Sequence, residues 1–405
     1  MKPRSVLFTA LLLLQTTVII SQVQLSEEVI EGISLVRLEH YEDYIKREVS
    51  TGRIPGAVTF IARNGEPVYK FATGISNPAD KRQMKTDDIF YIQSMTKPII
   101  TAAFMMLFEE GHFLLTDPLS KYLPTANDLR VLKDQEDGKD GETVPLKREI
   151  ILADLLSNTA GFTHGLGQTK YEQEVFAVFS RPHKTIQDRV DEFLSMPLIG
   201  QPGEQWAYSI APDILSVLIE EFSGQSTNDF LEERIFTPLG MKDTGYNLNK
   251  EQQRRVVQVQ GEDPGGGLTT QPKMEGNTVW SGVNALYSTA DDYMQLCQML
   301  LNGGKWKGTQ LLSPKTVELM TLNHSGDLFG TPGEGFGYGF AVVDDLAATN
   351  NLGSKGIYYW AGAFNTHFYI DPNEKLISIF FTQLSTFDFY YHHKLRQLVY
   401  QAIVD

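Results

Sequence analysis

Strand-like segments lie at both ends of this chain, and helical patterns fill the middle. Near the N-terminal end, GAVTFIARNGEPVYKFATG holds two strand-like runs on either side of Asn64 and Gly65, a dipeptide typical of tight β-hairpin turns. Near the C-terminal end, strand-like runs recur in GYGFAVV, GIYYWAG, NTHFYIDP and KLISIFFTQL. Because strands bury apolar side chains by pairing and packing in layers, we expect both groups to share one antiparallel sheet.

Helices are expected to flank that sheet and to form a second lobe. Apolar residues recur at helical spacing near the N-terminus and again from about residue 389 to 404, and these first and last helices should cover one face. Central segments such as APDILSVLIEEFSG are also helical in pattern. The predicted class is therefore α+β, with an inserted all-α lobe. Its α/β lobe spans about 23–90 and 281–405, its helical lobe about 91–280, and a cleft should lie between them.

The first 22 residues have the pattern of a secretory signal peptide. Lys2 and Arg4 precede an apolar run, Val6 to Ile20, that is short for a membrane span. An uncleaved anchor is the alternative, because isoleucines stand where a cleavage site favours small residues. We expect a secreted or periplasmic protein whose mature domain comprises residues 23–405.

Composition excludes several classes of partner and cofactor. The net charge is −15 and no basic cluster occurs, which argues against nucleic acid and against an anionic membrane surface. The only cysteine, Cys297, cannot form an intramolecular disulfide. The chain has no CxxC and no HExxH, and GEGFGYG departs from the dinucleotide fingerprint. We therefore expect no metal and no cofactor, while the oligomeric state stays open.

A hydroxyl and an amine stand three residues apart in FYIQSMTKPIITAAFMML, at Ser94 and Lys97. Residues i and i+3 are neighbours on one helical face, so the two groups should lie side by side. A serine hydroxyl becomes a nucleophile when a base takes its proton, and a lysine desolvated by apolar neighbours can be that base. The alternative is a serine helix cap followed by a solvated lysine.

Further motifs occur in a consistent order along the chain. They include QPGEQWAYSIAPD, ILADLLSNTAGF, SGVNALYSTADD, GEGFGYGF and YYWAGAFNTHF. Together with SMTK they resemble the serine beta-lactamase and penicillin-binding-protein superfamily, in particular its class C beta-lactamase-like branch. The resemblance covers about residues 56–383 and implies a beta-lactamase/transpeptidase-like fold.

The resemblance also implies roles for individual residues. Ser94 would be the nucleophile, Lys97 would share or accept its proton, and Tyr208 would be a companion base and later an acid, with its pKa lowered by the Lys97 cation. The backbone N–H groups of Ser94 and Ala363 would form the oxyanion hole. Substrate contacts are expected from four further residues: Trp360, Ala361, Gly362 and Ile210.

Some positions depart from the pattern of the branch. Ile210 ends the triplet Tyr208-Ser209-Ile210, which in lactamases ends in asparagine. Trp360 stands where lactamases carry a cationic lysine. Asn158 replaces the histidine that is usual in the branch, and GVNALYS is more polar than the usual sequence. Both changes are expected to affect packing and not chemistry. A substitute cation could come from Lys355 or His367. His164 is expected to be a solvated loop residue, with a position at the border of the cleft as the alternative. His392 and His393 are expected to lie on the surface.

Three functions fit these observations. The first is a family VIII esterase-like serine hydrolase that acts through an acyl-enzyme on short-chain carboxylic esters. The second is a D-amino-acid peptidase, amidase or beta-lactamase acting on cell-wall-like amides. The third is a non-catalytic penicillin-binding-like protein. The neutral Trp360 favours esters, the signal pattern favours cell-wall amides, and the intact Ser94, Lys97 and Tyr208 argue against a non-catalytic protein. The expected partner is a small ester or amide, with the membrane involved only if the anchor is uncleaved.

Overall fold

The computed structural model describes residues 28–261 and 273–405. Its α-helices, in chain order, are α1 (Leu35–Ser50), α2 (Thr96–Glu109), α3 (Leu152–Leu156), α4 (Lys170–Ser180), α5 (Ile186–Leu194), α6 (Ala211–Ser223), α7 (Thr227–Leu231), α8 (Thr237–Leu239), α9 (Lys250–Arg255), α10 (Ala290–Leu301), α11 (Pro314–Met320), α12 (Leu346–Thr349) and α13 (Phe389–Tyr400). A π-helical segment, Glu232–Phe236, joins α7 to α8.

The strands, in chain order, are β1 (Val29–Ile30), β2 (Ile33–Ser34), β3 (Gly56–Arg63), β4 (Glu66–Asn77), β5 (Arg82–Gln83), β6 (Phe90–Tyr91), β7 (Arg130–Leu132), β8 (Thr143–Pro145), β9 (Tyr287–Ser288), β10 (Lys305–Trp306), β11 (Thr309–Gln310), β12 (Glu334–Phe336), β13 (Ala341–Val343), β14 (Tyr358–Gly362), β15 (Thr366–Asp371) and β16 (Leu376–Phe381). Eight of them form one antiparallel sheet, in the order β12-β13-β14-β15-β16-β3-β4-β5.

The two ends of the chain meet in the middle of this sheet. Strand β16 pairs with β3, which places Phe60 opposite Ile379. The turn between β3 and β4 has positive φ at Asn64 (55°) and Gly65 (87°), as a tight hairpin of this handedness requires. The predicted sheet, built from the N-terminal hairpin and the C-terminal strands, is confirmed.

Helices cover both faces of the sheet. On one face, the hydroxyl of Tyr41 in α1 lies 2.9 Å from that of Thr59 in β3, and Tyr391 of α13 packs over Phe380. On the other face, the ring of Tyr293 in α10 lies 5.1 Å from that of Phe368. The first and last helices therefore share a face, as predicted, although α13 ends at Tyr400, earlier than expected.

The helical lobe is built around α2 and α6, which pack against each other. Helix α2 is buried from Thr96 to Leu107, so its apolar character on all sides fits a helix enclosed by protein. Among residues 28–261 and 273–405, no helix combines the length and apolarity needed to cross a bilayer. The predicted signal peptide, residues 1–22, lies outside the described residues.

Candidate active site

Ser94 lies in a 3-10 turn, Gln93–Met95, that leads directly into α2. Gln93 adopts a left-handed backbone conformation with φ 49°, which is uncommon for a residue other than glycine and marks a strained turn. Pro98 is tolerated in the first turn of α2, because its missing N–H would have no acceptor within the helix. The sequence thus presents Ser94, half-buried, at the start of a buried helix.

The side chain of Lys97 is buried beside Ser94. Its Nζ atom lies 3.3 Å from Ser94 Oγ and donates to the carbonyl oxygen of Val283 at 2.9 Å. Burial lowers the pKa of Lys97 to about 7, and the negative charge of Asp213 only partly opposes this effect. A substantial fraction of Lys97 is therefore neutral near pH 7 and can accept a proton.

Tyr208 completes the group around the Ser94 hydroxyl. Its phenol donates to Ser94 Oγ at 2.5 Å, and its ring centroid lies 4.4 Å from Lys97 Nζ. Burial raises the pKa of Tyr208, the opposite direction from the sequence-based expectation, and the hydrogen bond to Ser94 opposes this rise only in part. Tyr208 is therefore a phenol that donates a proton, and Lys97 is the better base.

The loop that carries Tyr208 is held on both sides by Asn158. The Asn158 carbonyl accepts from the backbone N–H of Ala207 at 3.0 Å, and its side-chain oxygen accepts from the Ser209 hydroxyl at 2.7 Å. Asn158 has φ 57°, a conformation that asparagine adopts more readily than most residues. Asn158, which departs from the pattern of the branch, therefore helps to hold Tyr208 in place.

His164 was expected in solvent, and this expectation is wrong. The imidazole is 8% exposed and stacks on the ring of Tyr208, with centroids 5.3 Å apart and planes 20° apart. Burial and the charge of Lys97 lower the pKa of His164 to about 3, so the ring is neutral. The alternative, a histidine at the border of the cleft, is the one that the structure supports, because the segment after Gly161 folds back over the site. His392 is likewise buried, and stacks on Tyr359.

The segment GVNALYS contacts Lys97, so its role goes beyond packing. The Val283 carbonyl accepts from Lys97, while the Val283 N–H donates to Asp213 Oδ1 at 3.1 Å. Asp213 also accepts from the Ser281 hydroxyl at 2.6 Å and forms a buried ion pair with Arg189 at 3.1 Å. This polar network fixes the acceptor that orients the Lys97 amine.

The Trp-Ala-Gly segment ends β14 next to the Ser94 turn. A Cβ atom at Gly362 would stand 2.3 Å from the carbonyl oxygen of Ile92, so the close approach of the two backbones requires glycine. The hydroxyl of Thr366 donates to the same carbonyl at 3.3 Å. The exposed Ala363 follows directly and lines the same cavity as Ser94. The oxyanion hole formed by the Ser94 and Ala363 N–H groups stays a prediction.

The expected substrate contact of Ile210 requires correction. Ile210 is 1% exposed, is the residue that precedes α6, and does not line the cavity. Its side chain packs into the hydrophobic core instead. The difference arises because, of Tyr208, Ser209 and Ile210, only Tyr208 lines the cavity, and the chain then turns inward to begin α6.

A cavity of about 720 Å³ opens beside Ser94. Its wall is mainly apolar and aromatic, and consists of Ser94, Leu166, Trp206, Tyr208, Phe329, Thr331, Glu334, Tyr359, Trp360, Ala361, Gly362, Ala363, Ser385, Phe387, Phe389 and His393.

No lysine or arginine of the described chain contributes to this wall. Lys355 pairs with Asp344 at 3.1 Å elsewhere, and His367 is a buried residue of β15 that does not line the cavity. Within residues 28–261 and 273–405, no group of three His, Cys, Asp or Glu side chains could hold a metal ion.

Comparisons with known proteins agree with this geometry. The family model described as Beta-lactamase matches residues 41–401. Protein Rv1367c of Mycobacterium tuberculosis is 30% identical over 370 residues, covering 86% of this chain and 90% of that protein. Esterase EstB of Burkholderia gladioli is 26% identical, covering 83% and 86%. The solved structure of EstCE1, a hydrolase with promiscuous acyltransferase activity, shares the fold with a TM-score of 0.77 at 24% identity, covering 90% and 98%. The chain therefore belongs to the beta-lactamase family and is a serine hydrolase.

Proposed function

We propose that this hydrolase cleaves short-chain carboxylic esters through an acyl-enzyme on Ser94. The observation that carries the proposal is the hydrogen-bonded group in which Ser94 Oγ lies 3.3 Å from Lys97 Nζ and 2.5 Å from the Tyr208 hydroxyl. A nucleophile, a base of suitable pKa and a proton donor are thus within reach of one reacting carbonyl. Esterase EstB and other relatives named as esterases support the ester assignment.

In the proposed reaction, neutral Lys97 takes the proton of Ser94 as Oγ attacks the ester carbonyl carbon. The backbone N–H groups of Ser94 and Ala363 would stabilise the oxyanion. Tyr208 would donate a proton to the leaving alcohol as the ester C–O bond breaks, and would be reprotonated from Lys97. Water would then attack the acyl-enzyme, with the same groups acting in the reverse direction and releasing the acid.

Esters are favoured over beta-lactams because the cavity offers no cation for a carboxylate. Trp360, which stands where lactamases carry a cationic lysine, is 8% exposed and stacks on Tyr208 with centroids 5.8 Å apart. Such a wall suits an apolar acyl or aryl group. A beta-lactam carboxylate would lack the ion-paired hydrogen bond that a lysine at this position would supply, which is worth about 1.5–3 kcal/mol.

A kinetic panel tests this preference. We expect measurable hydrolysis of p-nitrophenyl butyrate, and a kcat/KM for a chromogenic cephalosporin at least about tenfold lower, from the missing ion pair. Trp360→Lys should shift the ratio of the two kcat/KM values towards the cephalosporin. The matched control is Trp306→Lys, at a tryptophan outside the cavity wall, which should leave the ratio unchanged. Equal or better efficiency on the cephalosporin, or on D-Ala-D-Ala peptides, would establish the second candidate, a lactamase or D-peptidase.

The activity should rise with pH through the pKa of Lys97. Below about 7 the amine is protonated and cannot accept the Ser94 proton, so log kcat/KM should increase with a slope of about 1 and level off above that pH. The measurement is a profile on p-nitrophenyl butyrate from about pH 5 to pH 9. His164→Gln should keep the midpoint, because His164 titrates far below this window, with a pKa of about 3. A flat profile would exclude Lys97 as the titrating base.

A further inference from the structure

The cavity wall contains a buried carboxylate that the proposed reaction does not use. Glu334 is 7% exposed, and its Oε2 atom accepts a hydrogen bond from the Tyr359 hydroxyl at 2.5 Å. The other oxygen, Oε1, accepts no hydrogen bond from any residue in the described ranges, yet Glu334 lines the cavity. A carboxylate oxygen that faces a cavity without a protein partner is available to a ligand that supplies a hydrogen-bond donor or a positive charge.

Aromatic rings surround the space that this carboxylate faces. Trp206 and Phe329 line the cavity and meet edge to face at 4.8 Å, and Trp360 of the same wall packs edge to face at 5.2 Å on the buried Phe336. The faces of aromatic rings carry partial negative charge and attract organic cations, most strongly those with weakly hydrated alkyl groups. A wall of such rings with one carboxylate has the chemistry of a site for an alkylammonium group.

The charges near Glu334 leave its free oxygen available. His393 lines the cavity, and burial together with the charge of Arg396 lowers its pKa, which favours the neutral ring. Arg396 itself is fully buried in α13, does not line the cavity and forms no ion pair within 4.0 Å of Glu334 among the described residues. Burial raises the pKa of Glu334, and the hydrogen bond from Tyr359 and the charge of Arg396 oppose that rise in part. The net charge of −15 would also draw cations towards the protein.

We propose that Glu334 and the aromatic wall bind the alkylammonium group of a cationic ester, with the ester carbonyl at Ser94. This inference rests on the proposed esterase function and specifies its substrate class. With a choline ester, Ser94 Oγ would bond to the acyl carbon and the ester C–O bond would break. Choline would leave with the proton that Tyr208 donates, and water would release the acid.

Butyrylcholine and 3,3-dimethylbutyl butyrate form a matched pair that differs in charge and hardly in shape. We expect kcat/KM to be at least about tenfold higher for butyrylcholine, from cation–π and carboxylate contacts in a desolvated site. In Glu334→Gln the ratio should fall to within about threefold of unity. Glu318→Gln removes the same charge from an exposed position on α11 and should keep the wild-type ratio, which separates local contact from long-range attraction.

Binding to Ser94→Ala gives a readout that needs no turnover. By calorimetry, choline should bind at least about fivefold more tightly than 3,3-dimethylbutan-1-ol, and Glu334→Gln in the same background should remove the preference. Hydrolysis of both esters at equal efficiency, with equal binding of the two alcohols, would overturn the cation site and leave the esterase proposal intact. If neither ester nor p-nitrophenyl butyrate is cleaved, the esterase proposal fails, and the calorimetric comparison alone supports or overturns the cation site.

Discussion

Replacement of Ser94 by alanine should lower kcat for ester hydrolysis by roughly 10⁴- to 10⁶-fold, as expected when a covalent nucleophile is removed. The lost hydroxyl accepts from Tyr208 and lies beside Lys97, so no other group is placed to attack the same carbonyl. The free energy of unfolding should change by less than about 3 kcal/mol, the cost of leaving one buried polar partner unsatisfied. Circular dichroism and thermal melting would verify that the fold is kept.

Covalent labelling provides the direct measurement. A fluorophosphonate probe should modify Ser94 in the wild-type protein, and peptide mass spectrometry would locate the adduct. Ser385 also lines the cavity, so Ser385→Ala is the matched control and should retain the label. Full activity in Ser94→Ala, or an adduct on Ser385, would refute the proposed mechanism.

Lys97→Ala and Tyr208→Phe should each slow acylation by about 10²- to 10⁴-fold, the usual contribution of a positioned base or acid. Lys97→Ala removes the group that accepts the Ser94 proton. Tyr208→Phe keeps the stacking on His164 and Trp360 and removes only the hydroxyl that donates to Ser94. Pre-steady-state release of p-nitrophenol would report acylation separately from deacylation.

The double variant distinguishes one proton relay from two independent groups. Because both side chains act on the same oxygen, the combined loss should be much smaller than the product of the single losses. Lys70→Ala, at an exposed lysine paired with Asp291, is a control that should leave acylation unchanged. Losses that multiply would show that only one of the two residues belongs to the reacting group.

Local spacing made part of the site predictable. Ser94 and Lys97 are adjacent on a helical face whatever the rest of the chain does, and the apolar residues around them predict a desolvated amine. The hairpin at Asn64 and Gly65 similarly follows from two residues that tolerate positive φ. Patterns of this kind depend on neighbours in sequence, so they survive without knowledge of the tertiary structure.

Other features depend on contacts that no local pattern encodes. The raised pKa of Tyr208 comes from burial by distant segments, including His164 and Trp360, and so contradicted the expected direction. Ile210 was assigned to the substrate by its place in a motif, yet one turn of backbone directs it into the core. Glu334 gave no signal in sequence, because only the cavity shows that one of its oxygens is unengaged.

The contacts around Ser94 join parts of the chain that are synthesised far apart in time. Lys97 reaches Val283 across 186 residues, and Thr366 reaches Ile92 across 274. Loops of this size are closed only when the β3–β16 pairing brings both chain ends together, and such non-local pairing is slow. A nascent chain therefore holds Ser94 and Lys97 but lacks the Val283 carbonyl that accepts from Lys97 and the turn between β14 and β15 that packs against the Ser94 segment. Catalytic competence should arise in the last stage of folding, after β16 has left the ribosome.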